Sequence, residues 1–472
     1  MARVSRRLHF IALPIYFAGT KVDLEAKSAV CTLDGYEEAD LLAALQMCIF
    51  VDSLEYFRCI LPYHGSDLSI VPFLRRLKRI ENFISHLSSV KKVILYLAGR
   101  ELDGRWSVSL RTKEDFRVWA SHMGDLLNCI VQRDCGALTI VDGSSIDYSH
   151  PGRLNRMVRR FATRSSTQIP PSMSSFPSGS SRLTTLTIDS ASLLVPPGVN
   201  WILAALQHSP ITQLGLTMQC ADQRTWITLL PRIATAAPDL TSLHFTDVDA
   251  SIERIVLAVL KQFEKLTELR ITHLHPRYEP VVPHAPRPAL PHVSALSVPV
   301  TLAWHLMSPK DSLPELLKLC IRWRAPPGLD IWRFLGHLRS FSSKLSKCEK
   351  LPHLTLDINA RAGFTAEDVV LSSDLASSDL LRTARERVDW LYIDVDDGQA
   401  VDVLGIARLV ALFPKVSYVS LFSFRTTGLW ALARILRNVQ ATASLKDIYL
   451  DGDGYALEAS RHLSLEFRNL TD

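Results

Sequence analysis

The chain lacks the short motifs that mark many enzyme classes. It contains no G-x-S-x-G nucleophile elbow, no G-x-x-x-x-G-K-[ST] phosphate loop, no H-E-x-x-H zinc motif and no G-x-G-x-x-G dinucleotide loop. Its eight cysteines form no C-x-x-C pair. That pattern predicts buried free thiols in a reducing compartment rather than a zinc site. These absences favour a protein that is not an enzyme and that binds no metal or cofactor.

Long apolar runs and strong charge are also missing. No stretch approaches the roughly 18 apolar residues of a membrane-spanning helix. The net charge is only +5 over 472 residues, whereas nucleic-acid interfaces concentrate basic residues on one face. Three arginines before the apolar run Leu8–Ala18 resemble a secretory signal, but His9 and Pro14 interrupt that run. We therefore expect a cytoplasmic or nuclear protein with no membrane and no specific nucleic-acid partner.

The chain does contain a repeated phrase, in which two spacers and then one spacer separate three apolar residues. Clear copies are LTTLTI, ITQLGL, LTSLHF and LTELRI at residues 183–188, 211–216, 240–245 and 266–271. The steps between copies run from 23 to 37 residues, and most are at or near the roughly 20–29 of a leucine-rich repeat. VKKVIL and CGALTI, around Val93 and Leu138, are weaker earlier copies. The second-last apolar residue of each clear copy is its anchor: Leu186, Leu214, Leu243, Leu269, Leu296, Leu319, Leu354, Leu391, Val419 and Ile448.

The phrase predicts a stack of short strands. Its last two apolar residues are two positions apart and lie on one face of a strand, which stacked neighbours must bury. The segments Asp222–Ala236 and Ala250–Phe263 between copies have helical periodicity. The fold class is therefore α/β, as a leucine-rich-repeat-like solenoid of about twelve strands, with parallel strands on the concave face and helices on the convex face. A doubly wound α/β sheet is the alternative, although its strands need not share a phrase.

The composition divides the chain into four stretches. The serine- and proline-rich part of the third is expected to be disordered, and its basic run Arg153–Arg164 indicates either an exposed helix or a nuclear-import or phosphate-contacting segment. Helical stretches in the second are expected at Glu37–Phe50, Leu68–Leu87 and Thr112–Val131. The stretches are a helix over 1–22, half-legible solenoid repeats over 23–150, a basic helix and a Ser/Pro loop over 151–182, and the regular solenoid over 183–472.

The string VSRRLHFIALPIYF at Val4–Phe17 resembles the final helix of an F-box. It is similar to the form common in fungal F-box proteins, in which a Ser-Arg-Arg-Leu/Phe-His core precedes an Ala-Leu-Pro step. An F-box followed by leucine-rich repeats is also the layout of that group. The resemblance implies the substrate-binding adaptor of a Skp–cullin–F-box ubiquitin ligase. The residues that would face the Skp-type adaptor, or else pack on the first repeats, are Val4, Leu8, Phe10, Ile11 and Leu13.

The chain departs from the F-box pattern at its start. An F-box normally begins with a Leu-Pro-x-Glu-type segment and two helices that make much of the adaptor contact, whereas Met1 stands just before the final helix. Either a full F-box is encoded upstream, and a Skp-type adaptor is a partner, or the protein is a stand-alone interaction scaffold without a ligase connection. Both alternatives describe protein recognition rather than catalysis.

The strand positions between and just after the apolar pair are predicted to face the concave side. They are small and neutral in the early repeats, and acidic and aromatic in the late ones. Such a mixture suits a protein-binding surface. We therefore expect these late positions to bind a basic segment of a target protein, unless they are simply solvated strand ends. The predicted partner-binding residues are Asp357, Tyr392, Asp394, Asp396, Phe422, Tyr449 and Asp451.

Overall fold

The computed structural model shows a mixed α/β protein with two compact units, residues 1–244 and 245–472. The boundary falls within the strand Ser242–Val248. No helix in the described part is long and apolar enough to cross a membrane. The structure describes residues 6–33, 39–61, 70–97, 113–141, 176–177, 181–194, 196–273, 288–307, 313–324, 338–339, 353–359, 385–394, 403–422, 445, 447–450 and 453–456.

The first unit contains a sheet whose strands lie side by side in chain order. β1 pairs antiparallel with β2, and the strands from β2 to β7 are parallel. The turn between β1 and β2 is closed by Asp23, whose Oδ1 accepts hydrogen bonds from the amides of Glu25 and Ala26. The strands are β1 (Val22–Asp23), β2 (Ser28–Thr32), β3 (Ser53–Ile60), β4 (Ser89–Tyr96), β5 (Ala137–Val141), β6 (Thr185–Asp189) and β7 (Gln213–Thr217).

Helices occupy the connections between these strands. The three helices predicted in the N-terminal half and the one predicted after Asp222 are confirmed within a few residues. Asp222 caps its helix, because its Oδ1 accepts the amide of Thr225 at 2.9 Å. The helices are α1 (Arg6–Ala18), α2 (Ala39–Met47), α3 (Val71–His86), α4 (Lys113–Gln132), α5 (Gly198–His208) and α6 (Gln223–Ala236).

Strand β8 (Ser242–Val248) contains the boundary, and the second unit repeats the same arrangement after it. Its strands from β9 to β15 are parallel and follow chain order, and β16 pairs antiparallel with β15. The strands are β9 (Glu268–His273), β10 (Ala295–Pro299), β11 (Lys318–Arg324), β12 (His353–Asn359), β13 (Val388–Asp394), β14 (Tyr418–Phe422), β15 (Asp447–Leu450) and β16 (Asp453–Ala456), and the helices are α7 (Ala250–Leu260), α8 (Val300–Leu306) and α9 (Val403–Ala411).

The anchors of the repeated phrase lie in the buried ladders of the strands in both units. All ten anchors lie in strands, and all are at most 2% exposed. Each side chain therefore removes its apolar surface from water against its neighbours, a gain of about 1.5–3 kcal/mol for a fully buried leucine. In register order the ladder of the first unit is Ala29, Phe57, Val93, Leu138, Leu186 and Leu214.

Two features of these strands differ from the sequence prediction. Strands β2 and β3 were not predicted, because alanine, cysteine and phenylalanine occupy most of their buried positions, and Leu54 is the one buried leucine. The anchors of β12 and β13 are also not register partners, since an irregularity at Leu354/Thr355 places Leu356, not Leu354, opposite Leu391. Because residues 354 and 356 are both leucines, either could lie opposite Leu391, and the spacing of the phrase does not distinguish the two registers.

The predicted helix over 1–22 appears as α1, but its apolar residues do not share one face. Leu13 is 5% exposed, whereas Phe10 and Ile11 are each 52% exposed. At 3.6 residues per turn, positions 11 and 13 point in nearly opposite directions. Val4 and the side chain of Leu8 lie outside the described residues. The predicted adaptor-facing set therefore divides into an inward and an outward part.

The predicted Ser/Pro loop lies mostly outside the described residues, and the basic run Arg153–Arg164 lies entirely outside them. The division of the chain into stretches ending at residues 22, 150 and 182 stays a prediction. In the hairpin of β15 and β16, Leu450 pairs with Asp453.

Candidate functional site

The sheet of the second unit has a polar face opposite its buried anchors. Because side chains alternate along a strand, the residues before and after each anchor share this face. Register partners then form two rows across the strands. One row is Arg270, Ser297, Cys320, Thr355, Trp390 and Tyr418, and the other is Arg322, Asp357, Tyr392, Ser420 and Tyr449.

Four aromatic side chains gather where these rows cross β13, β14 and β15. This aromatic cluster consists of Trp390, Tyr392, Tyr418 and Tyr449, all half-buried. The Trp390 ring centroid lies 5.4 Å from that of Tyr392, 5.0 Å from that of Tyr418 and 5.7 Å from that of Tyr449. The planes of Trp390 and Tyr392 differ by 5°. Trp390 is stacked on Tyr392 and Tyr449 and tilted against Tyr418, and aromatic rings at these separations attract one another beyond their burial.

Trp390 stands at the centre of the cluster and is held there. Its Nε1 donates a hydrogen bond to the hydroxyl of Ser420 at 3.0 Å, and Tyr418 and Tyr449 also contact each other, with centroids 6.5 Å apart. The polar edge of the indole is therefore satisfied inside the protein. A partner that covers the cluster contacts ring surface and leaves no indole N–H unpaired.

Charged residues adjoin the cluster on the side of Tyr392. Asp357 is the register partner of Tyr392, and its Oδ2 lies 3.2 Å from Nε of Arg322 in an ion pair that is partly exposed on both sides. Burial raises the pKa of the Tyr392 hydroxyl, and the electrostatic interactions with Cys320 and Asp357 raise it further, while Arg270 opposes them. Tyr392 is thus a neutral hydrogen-bonding group at neutral pH.

The thiol of Cys320, on the same face, is not an activated nucleophile. Burial raises its pKa, and a hydrogen bond with Ser297 and the charge of Arg322 only partly oppose that rise. A nucleophilic cysteine requires a lowered pKa. Within the described ranges, no group of three or more histidine, cysteine, aspartate or glutamate residues is placed to hold a metal ion.

The structure places three of the seven predicted partner-binding residues on this face: Asp357, Tyr392 and Tyr449. The two tyrosines are brought together through Trp390. Asp394 and Phe422 are backbone register partners at the ends of β13 and β14, but their side chains lie outside the described part, as do Asp396 and Asp451 entirely. The acidic character expected there stays a prediction, and Asp357 itself has a cationic partner.

Trp390 and Tyr418 were missed by the sequence reasoning. Both stand immediately before an anchor, Leu391 and Val419, whereas only the positions between and after the apolar pair were taken to face outward. Strict alternation makes the preceding position equivalent. The phrase VDWLYI already places Trp390 and Tyr392 on one face, so the signal was present in the sequence.

A second set of exposed apolar residues lies on α1. Ile15 is 70% exposed, and Phe10 and Ile11 are half exposed. The ring of Phe10 stacks on that of Phe50 at 5.5 Å, and Ile49 beside it is 61% exposed. On the side opposite Ile11 and Ile15, Leu13 and Phe17 are buried and fix α1 to the first unit.

No family model matches the chain, and no curated protein matches it. Among solved structures, it is similar to the crystal structure of a protein from Bacteroides fragilis, with 15% identity and a TM-score of 0.29. That match covers 52% of this chain and 66% of the bacterial protein, just under two thirds of its length. A match at this level supports no statement about family or function.

Proposed function

We propose that the chain is a non-enzymatic, leucine-rich-repeat-like recognition protein that binds a basic segment of a target protein on the aromatic cluster. The observation that carries the proposal is the convergence of four half-buried rings on three adjacent strands. Tryptophan and tyrosine supply much of the binding energy of protein interfaces, because each buries a large area at a small cost in side-chain entropy.

A basic partner suits this surface better than an acidic or purely apolar one. The faces of tryptophan and tyrosine rings carry negative electrostatic potential and attract ammonium and guanidinium groups. Asp357 lies beside Tyr392 and provides a carboxylate that an incoming cation can share with Arg322. The predicted acidic residues Asp394, Asp396 and Asp451 would extend this preference along the same strands.

We further propose that recognition serves a Skp–cullin–F-box ubiquitin ligase, with α1 as the final helix of an F-box. The support is the resemblance of Val4–Phe17 to that helix, together with the exposed Phe10, Ile11 and Ile15 on its outer side. Co-purification of the full chain with a Skp-type adaptor tests this step. We expect capture that weakens when Ile11 and Ile15 are changed to serine, and target binding without any adaptor would indicate the stand-alone scaffold.

The aromatic cluster is tested with a fluorescein-labelled peptide of alternating arginine and serine and the full chain. We expect Trp390→Ala to weaken binding by at least about tenfold, because it removes the central ring that contacts the other three. The matched control is Trp304→Ala, which removes a 42% exposed tryptophan of α8 outside the cluster. Equal binding by the two variants, both folded by circular dichroism, would overturn the proposal.

A further inference from the structure

The first unit has a different pairing of charge and rings on the polar face of β3 and β4. The guanidinium carbon of Arg58 lies 4.5 Å from the ring centroid of Tyr96, and Nζ of Lys92 lies 5.7 Å from that of Tyr56. Each cation therefore sits over a tyrosine of the neighbouring strand. These four residues, Tyr56, Arg58, Lys92 and Tyr96, form the cation–tyrosine surface.

The positive charge of this surface is not compensated within the described part of the chain. Neither Arg58 nor Lys92 forms an ion pair with a described residue, and the buried Nε of Arg58 has no hydrogen-bond partner there. Glu55, exposed on β3, pairs with neither cation. The adjoining polar-face residues of β2 and β5 are neutral: Ser28, Val30, Thr32, Ala137, Thr139 and Val141.

The two tyrosines hold the cations in place while leaving them able to bind an anion. A guanidinium stacked on a ring uses its face for the ring and keeps its N–H edge for a carboxylate, which it can bind through two parallel hydrogen bonds. Lys92 is exposed and carries a compact charge on the same face. Both cations lose less side-chain freedom on binding than unconstrained ones would.

We infer that the cation–tyrosine surface binds an acidic, extended peptide segment of a partner protein. Tyr56 and Lys92 are register partners, and Arg58 stands two residues after Tyr56, so the cations occupy successive polar-face positions of adjacent strands. Alternate side chains of an extended peptide lie about 6.6 Å apart, a spacing that lets two carboxylates reach both cations. This inference does not depend on the aromatic cluster.

The surroundings favour a peptide over a nucleic acid. A nucleic-acid interface needs a broad basic patch that neutralises many phosphates, whereas the cation–tyrosine surface holds two cations, and the exposed Lys91 of β4 and Glu55 of β3 add charges of opposite sign. Val30, Ile94 and Val141 lie beside the two cations on the same face. Partly exposed apolar residues around two cations suit the side chains of a peptide that carries acidic and apolar residues in alternation.

Fluorescence anisotropy of the full chain with a labelled peptide of alternating glutamate and valine tests the inference. We expect Lys92→Glu to weaken binding at least about tenfold, and Arg58→Gln with Lys92→Gln to do the same, because each removes the charge that selects the peptide. The matched control is Arg224→Gln with Arg232→Gln, which removes two exposed arginines of α6. Lys92 is exposed, so its substitution leaves the fold intact.

Three results would overturn the inference. The first is unchanged binding of the acidic peptide by folded Lys92→Glu. The second is equal loss in the α6 control, which would indicate a general charge effect. The third is tighter binding of a single-stranded oligonucleotide than of the peptide, which would make the surface a phosphate site. A peptide of alternating lysine and valine should bind at least about tenfold more weakly than the glutamate peptide.

Discussion

The polar faces of the two units differ, although their buried faces are built alike. In the first unit, Arg58 and Lys92 lie over tyrosines and have no described carboxylate partner. In the second, the rings stack on one another around Trp390, and Arg322 is paired with Asp357. The repeated phrase fixes only the inward positions, so the outward positions of each strand are free to specify different partners.

The largest effect should come from the feature that the units share. Leu138 on β5, which belongs to the ladder of the first unit, and the anchor Leu391 on β13 are both fully buried. Truncating either to alanine leaves a cavity and should lower the free energy of unfolding by about 2–5 kcal/mol. Urea denaturation followed by circular dichroism measures the loss. A small loss at one of the two leucines only would show that the two buried faces are not equivalent.

The second prediction is that the polar faces of the two units bind different peptides independently. We expect Trp390→Ala to weaken binding of the arginine–serine peptide about tenfold and to leave binding of the glutamate–valine peptide unchanged. We expect Lys92→Glu to weaken binding of the glutamate–valine peptide and to leave binding of the arginine–serine peptide unchanged. Both variants are measured with both peptides by anisotropy at one salt concentration, because exposed charges are screened by salt. If either variant weakens the binding of both peptides equally, the two faces do not act as separate sites.

Each unit also contains an aspartate cap of the same kind. Asp222 accepts the amide of Thr225 at the start of α6, and Asp249 accepts the amide of Ile252 at the start of α7, both at 2.9 Å. Replacing either aspartate with alanine should cost about 1 kcal/mol, measured as the shift in urea midpoint. Asparagine keeps the side-chain acceptor, so a similar loss with asparagine would contradict the cap explanation.

The smallest effect concerns two cysteines, one in each unit. Burial raises the pKa of Cys135 from 9.0 to about 12, so its thiol keeps its proton to a higher pH in the folded chain than in the unfolded chain. Both states are protonated at neutral pH, and only the unfolded state loses the proton as pH rises from about 9 towards 12, so the free energy of unfolding falls over that range. In native protein, iodoacetamide at mildly alkaline pH should modify half-buried Cys320 before Cys135. Mass spectrometry measures the order, and equal rates would contradict it.

The sequence predicted the buried face of the sheet better than its polar face. Buried anchors repeat because every strand must bury the same face, so leucines at regular steps gave the strands from β6 to β15. Strand β3 carries the same phrase as LEYFRC, but phenylalanine and cysteine replace leucine at Phe57 and Cys59. The phrase can therefore be found in β3 only when any apolar residue, and not leucine alone, is accepted at its buried positions.

The contacts of the candidate site could be predicted only in part. Side chains alternate between the two faces of β13, so Trp390 and Tyr392 share one face. This placement could have been predicted from the six residues VDWLYI. The pairing of Arg322 with Asp357 depends instead on register across a long intervening segment. The stacking of Trp390 on Tyr449 depends on two further registers and on the irregularity at Leu354/Thr355. Such contacts follow from how strands align, which spacing alone leaves open.

The short antiparallel strands β1 and β16 have a consequence for how the protein behaves at high concentration. A parallel strand at the edge of a sheet exposes unpaired amides and carbonyls that can recruit a further chain. In the first unit the two residues of β1 cover part of β2, and in the second the four residues of β16 cover β15. Both strands are short and run antiparallel to their neighbours, so they do not continue the parallel ladder. A further chain therefore finds no parallel strand to pair with, which opposes the growth of filaments.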